Sequence, residues 1–267
     1  MTILQAAVLG LVQGITEFLP ISSTAHLRLV PAILSWPDGG AAFAAVIQLG
    51  TLLAVVGFFL RDLARMVAAA ARKETRGSHD ARMLLYIVAG TVPIGVAGLL
   101  ARHAIEGPLR SIAVIASSLI VVGIVMAVVE KKARFERGIE AITLRDALII
   151  GAAQALALVP GTSRSGITLV AAMILGFRRD ASARFSFLLS IPAVAAAGVF
   201  ELPKLLHERE VGSAALLTGL AVAAVSGYAS VAWLLRFLRT RTTYGFVVYR
   251  VILGLGLVSA VVASHLP

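Results

Sequence analysis

Long uncharged, apolar stretches constrain this chain more than any other feature of its sequence. Four of them have the roughly 20 residues that a helix needs to cross a hydrocarbon core of about 30 Å. They are 41–60, 83–101, 111–129 and 211–235. Two weaker candidates follow, because 185–200 is short and 244–264 carries Arg250. The sequence therefore predicts an all-α, polytopic membrane protein with six transmembrane helices.

The composition agrees with a membrane protein. Hydrophobic residues make up 59% of the chain and charged residues 14%, whereas a soluble domain has about 25% charged residues. Soluble, disordered and fibrous classes are therefore excluded. The chain has no cysteine, which excludes disulfides and thiolate metal sites. We assign the net charge of +10 to basic loops on an anionic membrane surface and expect no nucleic-acid partner.

Two further apolar segments are interrupted by Pro, Gly and hydroxyl residues. The first, 2–34, breaks at 20–23, and the second, 146–177, breaks at 160–163. The arms beside each break would be about 16–27 Å long as helices, which is short of a full crossing. A break at membrane depth must be buried in protein or face a water-filled cavity. We therefore expect two re-entrant helical hairpins, with tips near the middle of the membrane.

The two hairpin segments resemble each other. Gly10 and Gln13 in the first correspond to Gly151 and Gln154 in the second, at an offset of about 141 residues, which indicates an internal repeat. Each half makes an odd number of crossings, so the repeat is inverted, as in many transporters. The predicted divisions of the single membrane domain, 1–267, are repeat one, 1–130, a basic cytoplasmic connection, 131–144, and repeat two, 145–267.

Basic residues set the expected orientation. Loops 61–82 and 130–145 are rich in Lys and Arg, whereas loops 102–110 and 201–210 carry few. The positive-inside rule places the richer loops in the cytoplasm. The first hairpin then enters from outside and the second from the cytoplasm, so their tips can meet.

Glu17 is the one carboxylate, of 14 acidic residues, that lies neither in a loop nor at the end of an apolar span. A buried ionisable residue in a membrane indicates function, although protonation or a neighbouring arginine could simply neutralise it. Gln13 lies four residues earlier on the same helical face. Together they offer oxygen ligands to a hard cation, Mg²⁺ or Ca²⁺, whose other ligands a phosphate-bearing substrate would supply.

Hydroxyl residues follow each break, at the start of a half-helix. Such starts bind anions, above all phosphate, through free N–H groups and the helix dipole. Arg164 adds a forked donor that fits phosphate oxygens. The hydroxyls could instead bond to helix carbonyls. The predicted substrate-binding residues are Gln13, Ser22, Thr24, Gly161, Ser163, Ser165 and Thr168.

Ser23 is the candidate nucleophile, and His26, three residues later, is its candidate proton-transfer partner. His26 could instead lie at the membrane interface, and direct attack by water, with Glu17 or His26 as base, stays open. Arg250 could contact an anionic substrate, pair with Glu17 or extend its side chain towards the cytoplasm.

Two motifs give the chain a family resemblance. Residues 13–17 read Gln-Gly-Ile-Thr-Glu and continue similarly through 18–26, and residues 160–168 read Pro-Gly-Thr-Ser-Arg-Ser-Gly-Ile-Thr. Both resemble the motifs of the bacterial undecaprenyl-diphosphatase family, the bacitracin-resistance membrane phosphatases, and the similarity extends over nearly the whole chain. Some members carry Glu where this chain has Gln13, which leaves Glu17 as the main anionic ligand for a metal.

The resemblance implies hydrolysis of undecaprenyl diphosphate to undecaprenyl phosphate, which recycles the lipid carrier for peptidoglycan synthesis and confers bacitracin resistance. It also implies a divalent cation bound with the pyrophosphate, and an active site facing outside in the bacterial inner (plasma) membrane. The expected catalytic residues are Glu17, Ser23, His26 and Arg164. The expected partners are the polyprenyl diphosphate and membrane lipid, while a homodimer stays open.

A lipid-phosphate transporter, or flippase, is the alternative function, because inverted repeats with broken helices are a transporter design. Phosphate release by the protein in detergent, where no transport can occur, separates the two functions. A lipid kinase is disfavoured, since the sequence has no G-x-x-x-x-G-K-[ST] nucleotide loop.

Overall fold

The protein is described here by a computed structural model that covers residues 1–101, 109, 111–208 and 211–264. These residues form eleven α-helices. The helices are α1 (Ile3–Phe18), α2 (Ser23–Ile33), α3 (Gly40–Phe58), α4 (Leu60–Ala71), α5 (His79–Leu100), α6 (Ile112–Lys132), α7 (Leu144–Ala155), α8 (Arg164–Ile174), α9 (Arg179–Glu208), α10 (Ser213–Leu238) and α11 (Tyr244–Ser264). The predicted all-α, polytopic membrane fold is confirmed.

Within the described ranges, five helices are long and apolar enough to span a membrane alone: α5, α6, α9, α10 and α11. The remaining predicted crossing, 41–60, corresponds to helix α3. Helix α3 meets α4 at a bend of 73°, and the two helices give a sixth crossing if they form one span. Large apolar side chains on α5, such as Leu85, Val88 and Val92, are more than half exposed. Apolar exposure of this kind is what a lipid-facing helix surface requires.

One sequence expectation about the ends of the spans is wrong, and another is confirmed. Segment 61–82, expected to be a loop, contains most of α4, because that helix can bury Met66 while its charged residues stay accessible. Stretch 185–200, expected to span only with the help of its flanks, lies inside the 30-residue helix α9, whose flanks lengthen it to a full span. Arg184 in one flank pairs with Asp62 at 2.5 Å. Most of the predicted loop 102–110, and residues 209–210 of the loop 201–210, lie outside the described residues.

The two predicted hairpins are built alike. Helices α1 and α2 meet at one break, and α7 and α8 meet at the other. Ser22 caps α2 with a φ of 75°, and Ser163 caps α8 with a φ of 69°. Each serine Oγ accepts a hydrogen bond from the N–H three residues on, that of Ala25 or Gly166. A left-handed serine is uncommon, so the two tips share an unusual backbone conformation.

Two close helix contacts join the first half of the chain to the second. Helix α1 packs on α10 of the second half, and α7 packs on α5 of the first half. In the first contact Gly10 lies against the backbone of Gly219, and in the second Gly151 lies against Gly90. Small residues let membrane helices approach this closely. The two contacts match in kind, since each joins a hairpin helix of one half to a long helix of the other.

Ion pairs tie the elements together at the basic end of the molecule. The Glu130 carboxylate at the end of α6 accepts from Arg179, and it also accepts from the Thr243 hydroxyl at 2.8 Å. Arg137 in the connection pairs with Asp146 at the start of α7, at 2.6 Å. These contacts gather the connection and the ends of α6, α7, α9 and α11 at one side, as the positive-inside argument expects.

Replacing Gly10 or Gly151 by alanine should weaken the fold. A Cβ would lie 2.4 Å from the Gly219 carbonyl oxygen in the first variant and 2.0 Å from the Gly90 oxygen in the second. We expect each to lose about 1–3 kcal/mol of stability through overpacking, measured by thermal unfolding in detergent. Gly256 is the matched control, because a Cβ there meets nothing within 4 Å. Equal midpoints for all three variants would contradict the close helix contacts.

Candidate active site

Both hairpin tips line one cavity of about 280 Å³. Residues at or beside the tips form one part of its lining, and they are Glu17, Ser22, Ser23, Thr24, Pro160, Ser163 and Arg164. Arg28, Asp38 and Gln48 are further polar lining residues, and apolar side chains such as Phe43, Ile115 and Ala193 form most of the rest. The cavity therefore combines a polar end, made by the two tips, with an apolar wall inside the membrane domain.

Glu17 is the centre of the polar end. Its residue is 8% exposed, and its Oε2 accepts from Ser23 Oγ at 2.6 Å and from Gln13 Nε2 at 2.8 Å. Its Oε1 accepts from Nη2 of Arg164, which belongs to the other hairpin. Charge-assisted bonds of this kind are the strong ones. Four predicted site residues from two distant segments thus meet at one carboxylate.

Ser23 and Arg164 occupy the same position in the two repeats. Each is the first residue of its helix and follows the left-handed serine cap. The repeated backbone therefore presents a hydroxyl from one half and a guanidinium from the other, on either side of Glu17. Both helices also begin at this cavity. Two positive dipole ends and one guanidinium make the polar end suited to an anion.

The Arg250 side chain forms hydrogen bonds with the backbone of both tips. Its side chain is completely buried, with 0% of the residue exposed, and donates to five carbonyl oxygens. The acceptors are Pro20 in the first tip at 3.0 Å, Gly161 and Thr162 in the second at 3.0 and 3.1 Å, and Ser118 and Leu119 in α6 at 3.3 and 3.2 Å. This role differs from the three that the sequence left open.

Three of the predicted binding residues hold the tips in place. The N–H of Gly161 donates to Thr24 Oγ1 at 3.4 Å, which links the two tips directly. Ser165 Oγ, from the second hairpin, donates to the carbonyl of Leu19 in the first at 3.1 Å. Gly161 has a φ of +90°, a conformation that favours glycine. A Cβ at this position would also lie 2.5 Å from the Ile115 carbonyl oxygen.

The other predicted hydroxyls divide between two roles. Ser22 and Ser163 line the cavity but use their Oγ atoms as helix caps. Thr168 does not line the cavity, and its hydroxyl bonds with Ser186 Oγ on α9 at 2.5 Å. Bonding to a helix carbonyl, the alternative raised for these hydroxyls, is what Thr168 does, because its Oγ1 also donates to the Arg164 carbonyl at 2.8 Å. Ser22 and Ser163 instead accept from backbone N–H groups.

His26 and Ser23 are not brought together. The His26 Nδ1 contacts the Ser22 carbonyl at 2.7 Å, and its Nε2 contacts the Tyr249 hydroxyl at 2.6 Å. The two rings are stacked, with centroids 5.7 Å apart. The partner that the structure gives to the Ser23 hydroxyl is Glu17. Sequence reasoning missed Tyr249, since only its place beside Arg250 could have drawn attention to it.

Gln13 has the oxygen that a metal would need. Its Oε1 is buried and accepts no hydrogen bond, although an unsatisfied buried acceptor costs about 1–3 kcal/mol. The described residues hold no group of three His, Cys, Asp or Glu side chains that could bind a metal. One carboxylate and one amide oxygen therefore fit a hard cation only if substrate oxygens supply most of its ligands.

Comparison with known proteins gives a consistent family. The family model described as bacitracin resistance protein BacA matches residues 6–256. The undecaprenyl-diphosphatase of Myxococcus xanthus is 53% identical over 95% of this chain and 87% of its own length. The undecaprenyl-diphosphatase of a Nocardioides species is 48% identical, over 94% of this chain and 93% of its own. The one from Synechococcus elongatus is 47% identical, over 98% and 94%.

Arg250→Lys tests the joint between the tips. A lysine ammonium has three donors and no fork, so it cannot serve carbonyls of both tips and α6 together. We expect the free energy of unfolding to fall by about 2–4 kcal/mol, measured by thermal unfolding in detergent. Arg164→Lys is the control, because its lysine can still pair with Glu17. Unchanged stability in Arg250→Lys would show that the tips hold together without this residue.

Proposed function

The chain belongs to the bacitracin resistance protein BacA family, and we propose that it hydrolyses undecaprenyl diphosphate to undecaprenyl phosphate and inorganic phosphate. The observation that carries this proposal is the meeting of Ser23, Glu17 and Arg164 inside a membrane-embedded cavity. A nucleophile, a proton acceptor and an anion-binding cation are what phosphoryl transfer needs. The shared name of the relatives favours this hydrolase over a transporter.

The cavity suits a lipid with an anionic head. Arg164 and the two helix starts form the part that would bind the pyrophosphate. Phe43, Ile115 and Ala193 line the apolar wall, against which the first part of the polyprenyl tail would lie. The rest of the tail would stay among the lipids, where its burial needs no protein surface.

Arg164 and Ser23 act first. The Arg164 guanidinium exchanges its bond to Glu17 for bonds to pyrophosphate oxygens, and so orients the terminal phosphorus towards Ser23. Ser23 Oγ attacks that phosphorus and loses its proton to Oε2 of Glu17, to which it is already hydrogen-bonded at 2.6 Å. The bond from the terminal phosphorus to the bridging oxygen breaks, and undecaprenyl phosphate leaves with that oxygen.

Water completes the cycle. It attacks the phosphorus bound to Ser23, the Oγ–phosphorus bond breaks, and inorganic phosphate is released. Ser23 Oγ recovers its proton from Glu17, which restores both groups. His26 takes no proton in this scheme, because its two ring nitrogens face Ser22 and Tyr249. Its role is to hold the Ser22 cap, and with it the first tip.

A divalent cation fits beside Glu17. The Glu17 carboxylate and Gln13 Oε1 would hold Mg²⁺ or Ca²⁺ together with pyrophosphate oxygens. Such an ion, held by Glu17 and Gln13, would supply positive charge to the phosphoryl oxygens. With the cation bound, Arg164 would still orient the pyrophosphate, and Ser23 would still attack its terminal phosphorus.

The protein is a multi-pass membrane protein, and we place it in the bacterial plasma membrane with its site facing outside. Arg28 on α2 and Asp38 in the connection between α2 and α3 line the cavity. The basic cluster around Arg137 and Arg179 lies at the ends of other helices, which the positive-inside rule assigns to the cytoplasm. An outward opening would let the site receive diphosphate released outside the cell.

Phosphate release from undecaprenyl diphosphate by the purified protein in detergent tests the function, because transport is impossible there. We expect release by the unaltered protein and a turnover roughly 100-fold lower for Arg164→Lys, since the lysine cannot bind phosphate as a fork. The variant should keep its thermal midpoint. No release by the unaltered protein would favour the transporter, and normal turnover in Arg164→Lys would remove that residue from the site.

Glu17→Gln tests the metal. The variant keeps an acceptor oxygen but loses the charge, so it should need more Mg²⁺ or Ca²⁺ and recover only part of its turnover, since it also lacks the proton acceptor. Gln13→Glu should lower the metal requirement, because it adds a second carboxylate on the same helical face. Metal titrations that coincide for the unaltered protein and both variants would exclude a cation held by these residues.

A further inference from the structure

Arg28 and Asp38 form an ion pair at the cavity that holds the reacting groups. Both residues line this cavity, together with Ser23 and Arg164. The Arg28 side chain is 40% exposed and that of Asp38 is 34% exposed. The pair is therefore the accessible counterpart of the buried Glu17–Arg164 pair, and the chemistry described so far uses neither of its members.

Asp38 lines two cavities, and Arg28 lies beside it. Asp38 also lines a second cavity, of about 410 Å³, whose other residues include Trp36, Pro37 and Gly39. Arg28 lies on α2, five residues after Ser23, which is about 7.5 Å further along the helix axis. An anion leaving Ser23 for the second cavity would thus meet Arg28 next and pass Asp38.

The Asp38 carboxylate is held so that it can act as a substitute anion. Its Oδ1 accepts from the backbone N–H of Gly40 at 3.1 Å, and its Oδ2 accepts from Nη1 of Arg28. A guanidinium fork accepts a phosphate in the same way as a carboxylate. An exposed ion pair is also weak, so an incoming phosphate dianion can displace the Asp38 carboxylate from Arg28 without a large loss of free energy.

We propose that Arg28 is a second phosphate-binding residue, and that inorganic phosphate leaves the site by replacing Asp38 on Arg28. This inference rests on the proposed hydrolysis, which supplies the phosphate. Arg164 and Arg28 then form two successive phosphate positions, one at the reacting atoms and one at the exit. Asp38 closes the exit position when no phosphate is present, and its return to Arg28 displaces the product.

Opposite effects of two substitutions test this exchange. Inorganic phosphate added to the detergent assay should inhibit by occupying Arg28. Arg28→Gln should raise the phosphate concentration for half-inhibition about fivefold, and Asp38→Asn should lower it about fivefold, because Arg28 then has no competing carboxylate. The double variant should resemble Arg28→Gln. If the ion pair only stabilised the loop that carries Asp38, the phosphate concentration for half-inhibition would change in the same direction in both single variants.

A matched pair elsewhere controls for general effects of charge. Arg178 and Asp180 form an ion pair with side chains 55% and 29% exposed, and neither lines the cavity. Arg178→Gln and Asp180→Asn should leave phosphate inhibition unchanged. A change of inhibition as large as that in the Arg28 and Asp38 variants would overturn the proposal.

Two further readouts keep this inference separate from the proposed function. Thermal stabilisation by inorganic phosphate alone should weaken in Arg28→Gln and strengthen in Asp38→Asn, whether or not the protein hydrolyses the lipid. A change confined to the KM for the lipid substrate, with phosphate inhibition unaltered, would place Arg28 on the lipid head group and overturn the exit role. Normal hydrolysis with unaltered phosphate effects in both variants would also overturn it.

Discussion

A single buried guanidinium makes the two broken hairpins into one site. The hairpin tips end their helices inside the membrane domain, where water is scarce and an unpaired carbonyl is costly. Arg250 donates to carbonyls of both tips and of α6, so one side chain satisfies backbone from three segments. The positions of Ser23 and Arg164 beside Glu17 depend on this joint, because each residue directly follows a tip.

The two hairpin tips share a backbone conformation but carry different side chains, and the proposed function depends on that difference. The same serine cap occurs at both tips, but the next residue is Ser23 in one repeat and Arg164 in the other. Glu17, about 141 residues before Leu158, has no acidic counterpart in the second repeat. The unlike tips meet at one cavity, so in the proposed mechanism the nucleophile, its proton acceptor and the phosphate-binding guanidinium come from two hairpins. Neither hairpin alone could assemble them.

Sequence reasoning succeeded where the signals are local. Apolar length located the crossings, and the breaks at Pro20 and Pro160 located the tips, because both follow from the chemistry of the bilayer. It failed for contacts between residues that lie far apart in the sequence. The partners of Arg250 and the contact of His26 with Tyr249 depend on how α11 packs, and the sequence does not encode that in any short motif. The sequence does not predict the amphipathic helix α4, because its charged residues favour a loop.

The most direct test of this account is a structure of the protein bound to a polyprenyl methylene diphosphonate, which cannot be hydrolysed at its bridge. We expect the diphosphonate to lie between Ser23 and Arg164, with its terminal phosphorus facing Ser23 Oγ. Arg250 should still donate to the carbonyls of both tips. A diphosphonate bound to one tip only, or held by Arg250 while the tips lie apart, would contradict the account.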